Sequence, residues 1–195
     1  MGVGQIYTVP IRMFVVQPTP GAAKADLYRE LATQLAALLA DERHGLANAA
    51  NTAALLHQGL PDLNWAGFYF VVDDELVLGP FQGKVACVRI ALGRGVCGTA
   101  AQRRETIVVP DIEKFPGHIA CDHASRSEVV VPLVQHGRLV GVLDLDSPSP
   151  ARFDAEDAKG LETLAEIFLR SSDLGGLVPT STKGQKHDVG SNRTS

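Results

Sequence analysis

A chain of 195 residues with 45% apolar and 21% charged residues has the length and balance of one globular domain with short tails. Its formal net charge of −4 supplies no basic field for nucleic acid or an anionic membrane, and no stretch approaches the ~20 apolar residues of a membrane span. Three cysteines, spaced by ten and twenty-four residues, form neither a disulfide framework nor a zinc pattern, and free thiols fit a reducing, cytoplasmic setting.

Residues 1–21 carry no clear period and read as an N-terminal extension; the apolar run Ile11–Val16 is too short for a signal peptide. Leu27, Leu31, Leu35 and Leu38 recur at helical spacing over 24–40. A second helix over 45–59 stops at Gly59-Leu60-Pro61. Trp65–Val72 is aromatic and β-branched and predicts a strand turning at Asp73-Asp74. Leu76–Leu78 returns until Gly79-Pro80 breaks it, and Lys84–Ala91 alternates as a further strand. Gly93-Arg94-Gly95 opens a helix over Val96–Arg103, and Thr106–Val109 is a short strand.

Residues 110–127 are irregular, and a loop that long inside a compact domain is usually functional or disordered. Glu128–Val134 and Leu139–Asp146 are the clearest strands; Asp154 caps a last helix with Leu161, Leu164, Ala165 and Phe168 inward. Residues 173–195 are rich in Gly, Ser, Thr and Lys and predict a disordered tail, leaving 22–172 as the folded unit. Strands joined by short turns, with helices packed on them, make an α+β fold with an antiparallel sheet.

Cys121 lies in the long loop near His118, His123 and Arg126, cationic neighbours that favour thiolate. Cys97 opens a helix, a position that lowers a thiol pKa, but its small neighbours favour a packed residue. Cys87 on its strand reads as core unless the fold brings it to Cys121. Asp144 and Asp146 share one strand face, for which solvent exposure is the plain explanation. The position of Glu128 depends on the hairpin. A two-residue loop at His136-Gly137 sets it opposite Leu145, whereas a three-residue loop with Gly137 left-handed sets it opposite Asp146. Trp65 and Tyr69 share a face that is either sheet core or a pocket wall.

Several strings taken together resemble one family: Asn64-Trp-Ala-Gly-Phe-Tyr69, Gly79-Pro-Phe-Gln-Gly-Lys84, Ala86-Cys-Val-Arg-Ile90, Gly93-Arg-Gly-Val-Cys-Gly98, His118-Ile-Ala-Cys-Asp122, Ser125-Arg-Ser-Glu128 and Gly141-Val-Leu-Asp-Leu-Asp146. They are similar to the free methionine-(R)-sulfoxide reductases, stand-alone GAF domains, over about residues 24–170. Val85 and Ala66 depart from the family pattern at positions that do no chemistry.

The resemblance implies a GAF-type sheet of about six antiparallel strands with helices mainly on one side. It implies Cys121 as nucleophile, Cys87 as resolving cysteine and Cys97 as an ancillary thiol. It implies Glu128 and Asp144 as acid groups, and Trp65, Tyr69 and Asp146 as substrate-binding residues. It also favours the register with Glu128 opposite Asp146. The implied reaction reduces free methionine-R-sulfoxide through a sulfenic acid and a Cys87–Cys121 disulfide, with thioredoxin or a similar dithiol as reductant and no metal or cofactor. A homodimer is compatible with it. The rival from another class is a non-catalytic GAF sensor of small ligands or redox state.

Overall fold

The structure is a computed structural model that describes residues 23–117 and 124–178. The expected extension 1–21, most of the expected tail and the loop segment carrying His118, Cys121 and His123 lie outside the described residues.

Two helices open the fold. α1 (Lys24–Leu38) buries Leu27, Tyr28, Leu31 and Leu35, one stripe at helical spacing. α2 (Gly45–Gly59) buries Ala49, Thr52, Ala53 and Leu56. β1 (Trp65–Val72), β2 (Glu75–Gly83) and β3 (Arg89–Ala91) follow, then α3 (Gly95–Arg103), β4 (Ile107–Val109), β5 (Ser127–Gln135), β6 (Arg138–Ser147) and α4 (Ala155–Ser171). The six strands form one sheet in the order β3-β2-β1-β6-β5-β4, with every pairing antiparallel.

Period-two alternation divides the sheet into two faces. Ala66, Phe68, Phe70, Val131, Leu133, Leu143 and Leu145 point to the face covered by α1, α2 and α4, the larger core. Trp65, Tyr69, Val130 and Val142 point to the other face, where α3 brings Val96, Cys97, Ala100 and Ala101. The fold is therefore α+β, with three helices on one side and a single short helix on the other.

The strand boundaries differ from the sequence reading in two places. β2 does not end at Gly79-Pro80 but runs through to Gly83. The ladder with β1 shifts register between Gly67 and Tyr69, opposite this dipeptide, and such a bulge accommodates a residue without an N–H. The expected strand over Lys84–Ala91 shrinks to Arg89–Ala91, and residues 84–88 form an irregular loop that carries Cys87.

The β5–β6 hairpin reaches the expected outcome by an unexpected device. Its turn has two residues, His136 at φ 52° and Gly137 at φ 76°, the left-handed pair of a type I′ turn. Gln135 accordingly pairs with Arg138 and Val134 with Leu139. The register then shifts between Val134 and Leu133, so that Glu128 pairs with Asp146 and Val130 with Asp144. The bulge lies within the strand rather than in the turn.

Past α4 the chain continues to pack, beyond the expected end of the folded unit at residue 172. The Asp173 amide donates to Arg43 O and the Gly45 amide donates to Asp173 O, while Leu174 and Val178 are buried in the larger core.

Candidate active site

The face under α3 holds a small concavity, about 40 Å³ as swept by the centre of a water molecule. Its walls come from elements distant in sequence. β1 contributes Trp65 and Tyr69, β5 Glu128, β6 Asp144 and Asp146, and α3 Cys97. The three acids meet because of the bulged register and because Asp146 pairs with Trp65 and Asp144 with Gly67 on the opposite neighbour, β1. Gly67, paired with Asp144, makes room for the aromatic wall: a Cβ there would stand 2.4 Å from Phe81 Cβ and 2.6 Å from the Trp65 ring.

Trp65 is the wall of the cup. Its ring stacks on Phe81 at 5.3 Å and on Tyr69 at 6.0 Å between centroids. Both aromatic residues also hold the 84–88 loop. Trp65 Nε1 donates to Lys84 O at 3.1 Å, and Tyr69 Oη donates to Cys87 O at 3.1 Å. Cys87 is half-buried on this rim. Ser125 closes another part of the wall, its Oγ accepting from Asn64 Nδ2 at 2.9 Å.

Glu128 and Asp144 are each only 6% exposed. Burial, then the neighbouring Asp144 and Asp146, push the Glu128 carboxyl well above the usual carboxylate range. Burial raises Asp144 to about 7, opposed by hydrogen bonds from Cys97 and Glu128. With Asp144 as acceptor, the shared proton sits on Glu128. Asp144 Oδ1 has no hydrogen-bond partner.

Cys97 is packed, as its small neighbours predicted, with Val96, Ala100 and Ala101 around it and two carboxylates beside its thiol. Its Sγ donates to Glu128 Oε1 across 3.9 Å. The helix start does not lower this thiol: burial first, then Asp144 and Glu128, push it well above its ordinary value. Cys97 is held as a neutral thiol. Asp144 and Asp146 do not form the solvated outer face that alternation alone favoured; Asp144 is buried and Asp146 half-buried.

A family model described as a GAF domain matches residues 47–168. The chain is 55% identical over 141 residues to the free methionine-R-sulfoxide reductase of Escherichia coli K12, covering 72% of this chain and 86% of that protein. This chain belongs to the free methionine-R-sulfoxide reductase family. A solved structure agrees in fold: the free methionine-R-sulfoxide reductase of Neisseria meningitidis in complex with its substrate superposes with a TM-score of 0.78 at 48% identity, over 82% of this chain and 95% of that one. The reduced-form structure of the Staphylococcus aureus protein fRMsr gives 0.73 at 45% identity, over 82% and 99%.

Set in the free methionine-R-sulfoxide reductase frame, the structure brings together Trp65, Tyr69, Glu128, Asp144, Asp146 and Cys97, and sets Cys87 at the rim. Cys121 lies outside the described residues. Sequence reasoning missed Phe81, Gly67 and Ser125. A glycine between two same-face aromatics on a strand was the one available signal, since it marks close approach of another group. Arg94, the only basic side chain lining the cup among the described residues, was also missed.

Proposed function

We propose that this chain reduces free methionine-R-sulfoxide to methionine in the cup beneath α3, with Cys121 as nucleophile, Glu128 as proton donor and Cys87 as resolving thiol. The observation that carries the reading is the buried cluster of Glu128, Asp144 and Asp146 walled by Trp65 and Tyr69. Burying acids is costly, and a cationic ligand group such as an α-ammonium offsets that cost.

Asp144 Oδ1, which has no partner, and Asp146 fit the ammonium of a free amino acid, which a peptide-bound residue lacks. Trp65 offers an apolar face for the S-methyl group. The tether from Ser125 on the wall back to Cys121 is four residues, at most ~14 Å of extended chain, a length that lets the thiol reach the cup.

In the first step the Cys121 thiolate attacks the sulfoxide sulfur. Oxygen passes to the cysteine and the proton comes from Glu128, giving methionine and Cys121 sulfenic acid. Cys87 then condenses with it, forming the disulfide and releasing water. A dithiol of the thioredoxin class, in a reducing cytoplasm, exchanges with the disulfide and restores both thiols.

Turnover coupled to thioredoxin and NADPH oxidation tests the reading. The free R epimer should be consumed, while the S epimer and a blocked peptide sulfoxide should not. Equal rates on the blocked peptide would overturn the ammonium assignment, and no turnover on any sulfoxide would favour a sensor.

A further inference from the structure

Cys97 takes no part in the redox steps above, yet its thiol is buried with two carboxylates. One ligand atom from each of Cys97, Glu128 and Asp144 lies within 4.8 Å of the others. All three residues are more than nine-tenths buried, at 5%, 6% and 6% exposed. Asp144 lines the cup, and its Oδ1 is a buried acceptor without a partner. One sulfur and two oxygens from three rigid elements, with the fourth side facing the cup, make a three-ligand set.

We propose that Cys97, Glu128 and Asp144 bind a thiophilic divalent cation of the Zn²⁺ class at the floor of the cup, and that the ion reversibly excludes substrate. The inhibitory half rests on the function proposed above; the binding half does not. The sulfur ligand favours Zn²⁺ or Co²⁺ over Mg²⁺ and Ca²⁺, which take oxygen shells of six or more ligands. Bond lengths of ~2.3 Å to sulfur and ~2.1 Å to oxygen require the ligand atoms to draw together by roughly 1 Å, within the reach of side-chain rotation. The cation replaces protons: the thiol and both carboxyls bind it deprotonated, so affinity rises with pH. It also occupies the position proposed for the substrate's ammonium, so ion and substrate compete.

The Cys87→Ser/Cys121→Ser double variant leaves Cys97 as the only thiol of the chain's three. Titrated with Co²⁺ in the absence of oxygen, it should develop a thiolate-to-cobalt charge-transfer band saturating at one ion per chain. Zn²⁺ should bleach that band. Adding Cys97→Ser should abolish it, and Glu128→Gln, isosteric with the native side chain, should weaken it in a protein whose melting curve shows it folded. Absence of the band at millimolar Co²⁺, its survival without Cys97, or an undiminished band in Glu128→Gln overturns the site. Zn²⁺ that binds the wild type without raising the apparent KM for sulfoxide overturns the inhibitory half. If the band forms but no sulfoxide is turned over, the function fails and the metal site stands.

Discussion

At the scale of single residues, the acids of the cup trade stability for chemistry. Asp144 titrates at about 7 in the fold against 3.8 in the open chain, and burial is the cause. Between those values the folded state binds more protons than the unfolded one, so stability falls as pH rises through that window. Below it both states are protonated and nothing is lost; above about pH 7 the whole penalty is present, at most roughly 4 kcal/mol. Asp144→Asn should therefore raise the melting temperature near pH 8 and leave it almost unchanged near pH 4. The same variant should lower kcat/KM at least about tenfold, or ~1.4 kcal/mol of transition-state stabilisation. Paired melts at the two pH values, read beside the kinetics, check this; lost activity with no gain at high pH would show that Asp144 is not strained. Little of this was legible in the sequence. Alternation put Asp144 and Asp146 on one face but could not say which face α3 covers, and Glu128 joins them only through a bulge at Leu133/Val134 that no residue type announces.

At the scale of elements, legibility follows locality. The helices were read from their leucine spacing, and Asp154 was read as the cap of α4. The structure completes that cap as a capping box, with Asp154 accepting from the Glu156 and Asp157 amides and Asp157 accepting from the Asp154 amide. The long-range half was invisible. The fully buried Asp157 carboxylate gathers Lys24 and Tyr28 from α1 and Arg152 from the preceding loop, tying the two ends of the domain. Asp154→Ala should cost about 1 kcal/mol, the value of a cap. Asp157→Ala removes the buried acceptor that Lys24, Tyr28 and Arg152 share, leaving Lys24 its pair with Asp154 and Arg152 its bond to Pro61 O, and should cost more than the cap, about 3 kcal/mol. Urea midpoints with an unchanged slope would measure both; equal small losses would mean that Asp157 acts only as a cap. The 84–88 loop failed the strand reading for the converse reason. Its alternation was genuine, but Trp65 and Tyr69 draw its backbone carbonyls out of the ladder.

At the scale of the whole molecule, the sheet separates two tasks. One face carries the large core under α1, α2 and α4; the other carries a small core opened by the cup. Cys97 and Cys87 lie at that second face, and the three thiols of the chain differ in kind. Cys97 is buried, neutral and hydrogen-bonded to an acid, so it is a poor nucleophile. Cys87 sits on a rim loop whose carbonyl Tyr69 holds, half-buried and within an irregular segment that can give. Cys121 has the cationic sequence neighbours. This distribution predicts distinct failures. Cys121→Ser should abolish even the first turnover, because Cys121 alone has the cationic loop neighbours that favour thiolate. Cys87→Ser should form methionine once per enzyme molecule and then stall with thioredoxin, since sulfenic acid formation needs only the nucleophile. Cys97→Ser keeps a hydroxyl donor for Glu128 and should slow the reaction without stopping it. Rapid-quench methionine yields separate the first two, and mass spectrometry after one oxidant equivalent should find Cys87 bonded to Cys121. Closing that bond needs the two Cα atoms within ~7 Å. A dominant Cys97–Cys121 bond, with Cys87→Ser cycling normally, would overturn the assignment, because it would require α3 to expose a thiol that the acids now hold neutral.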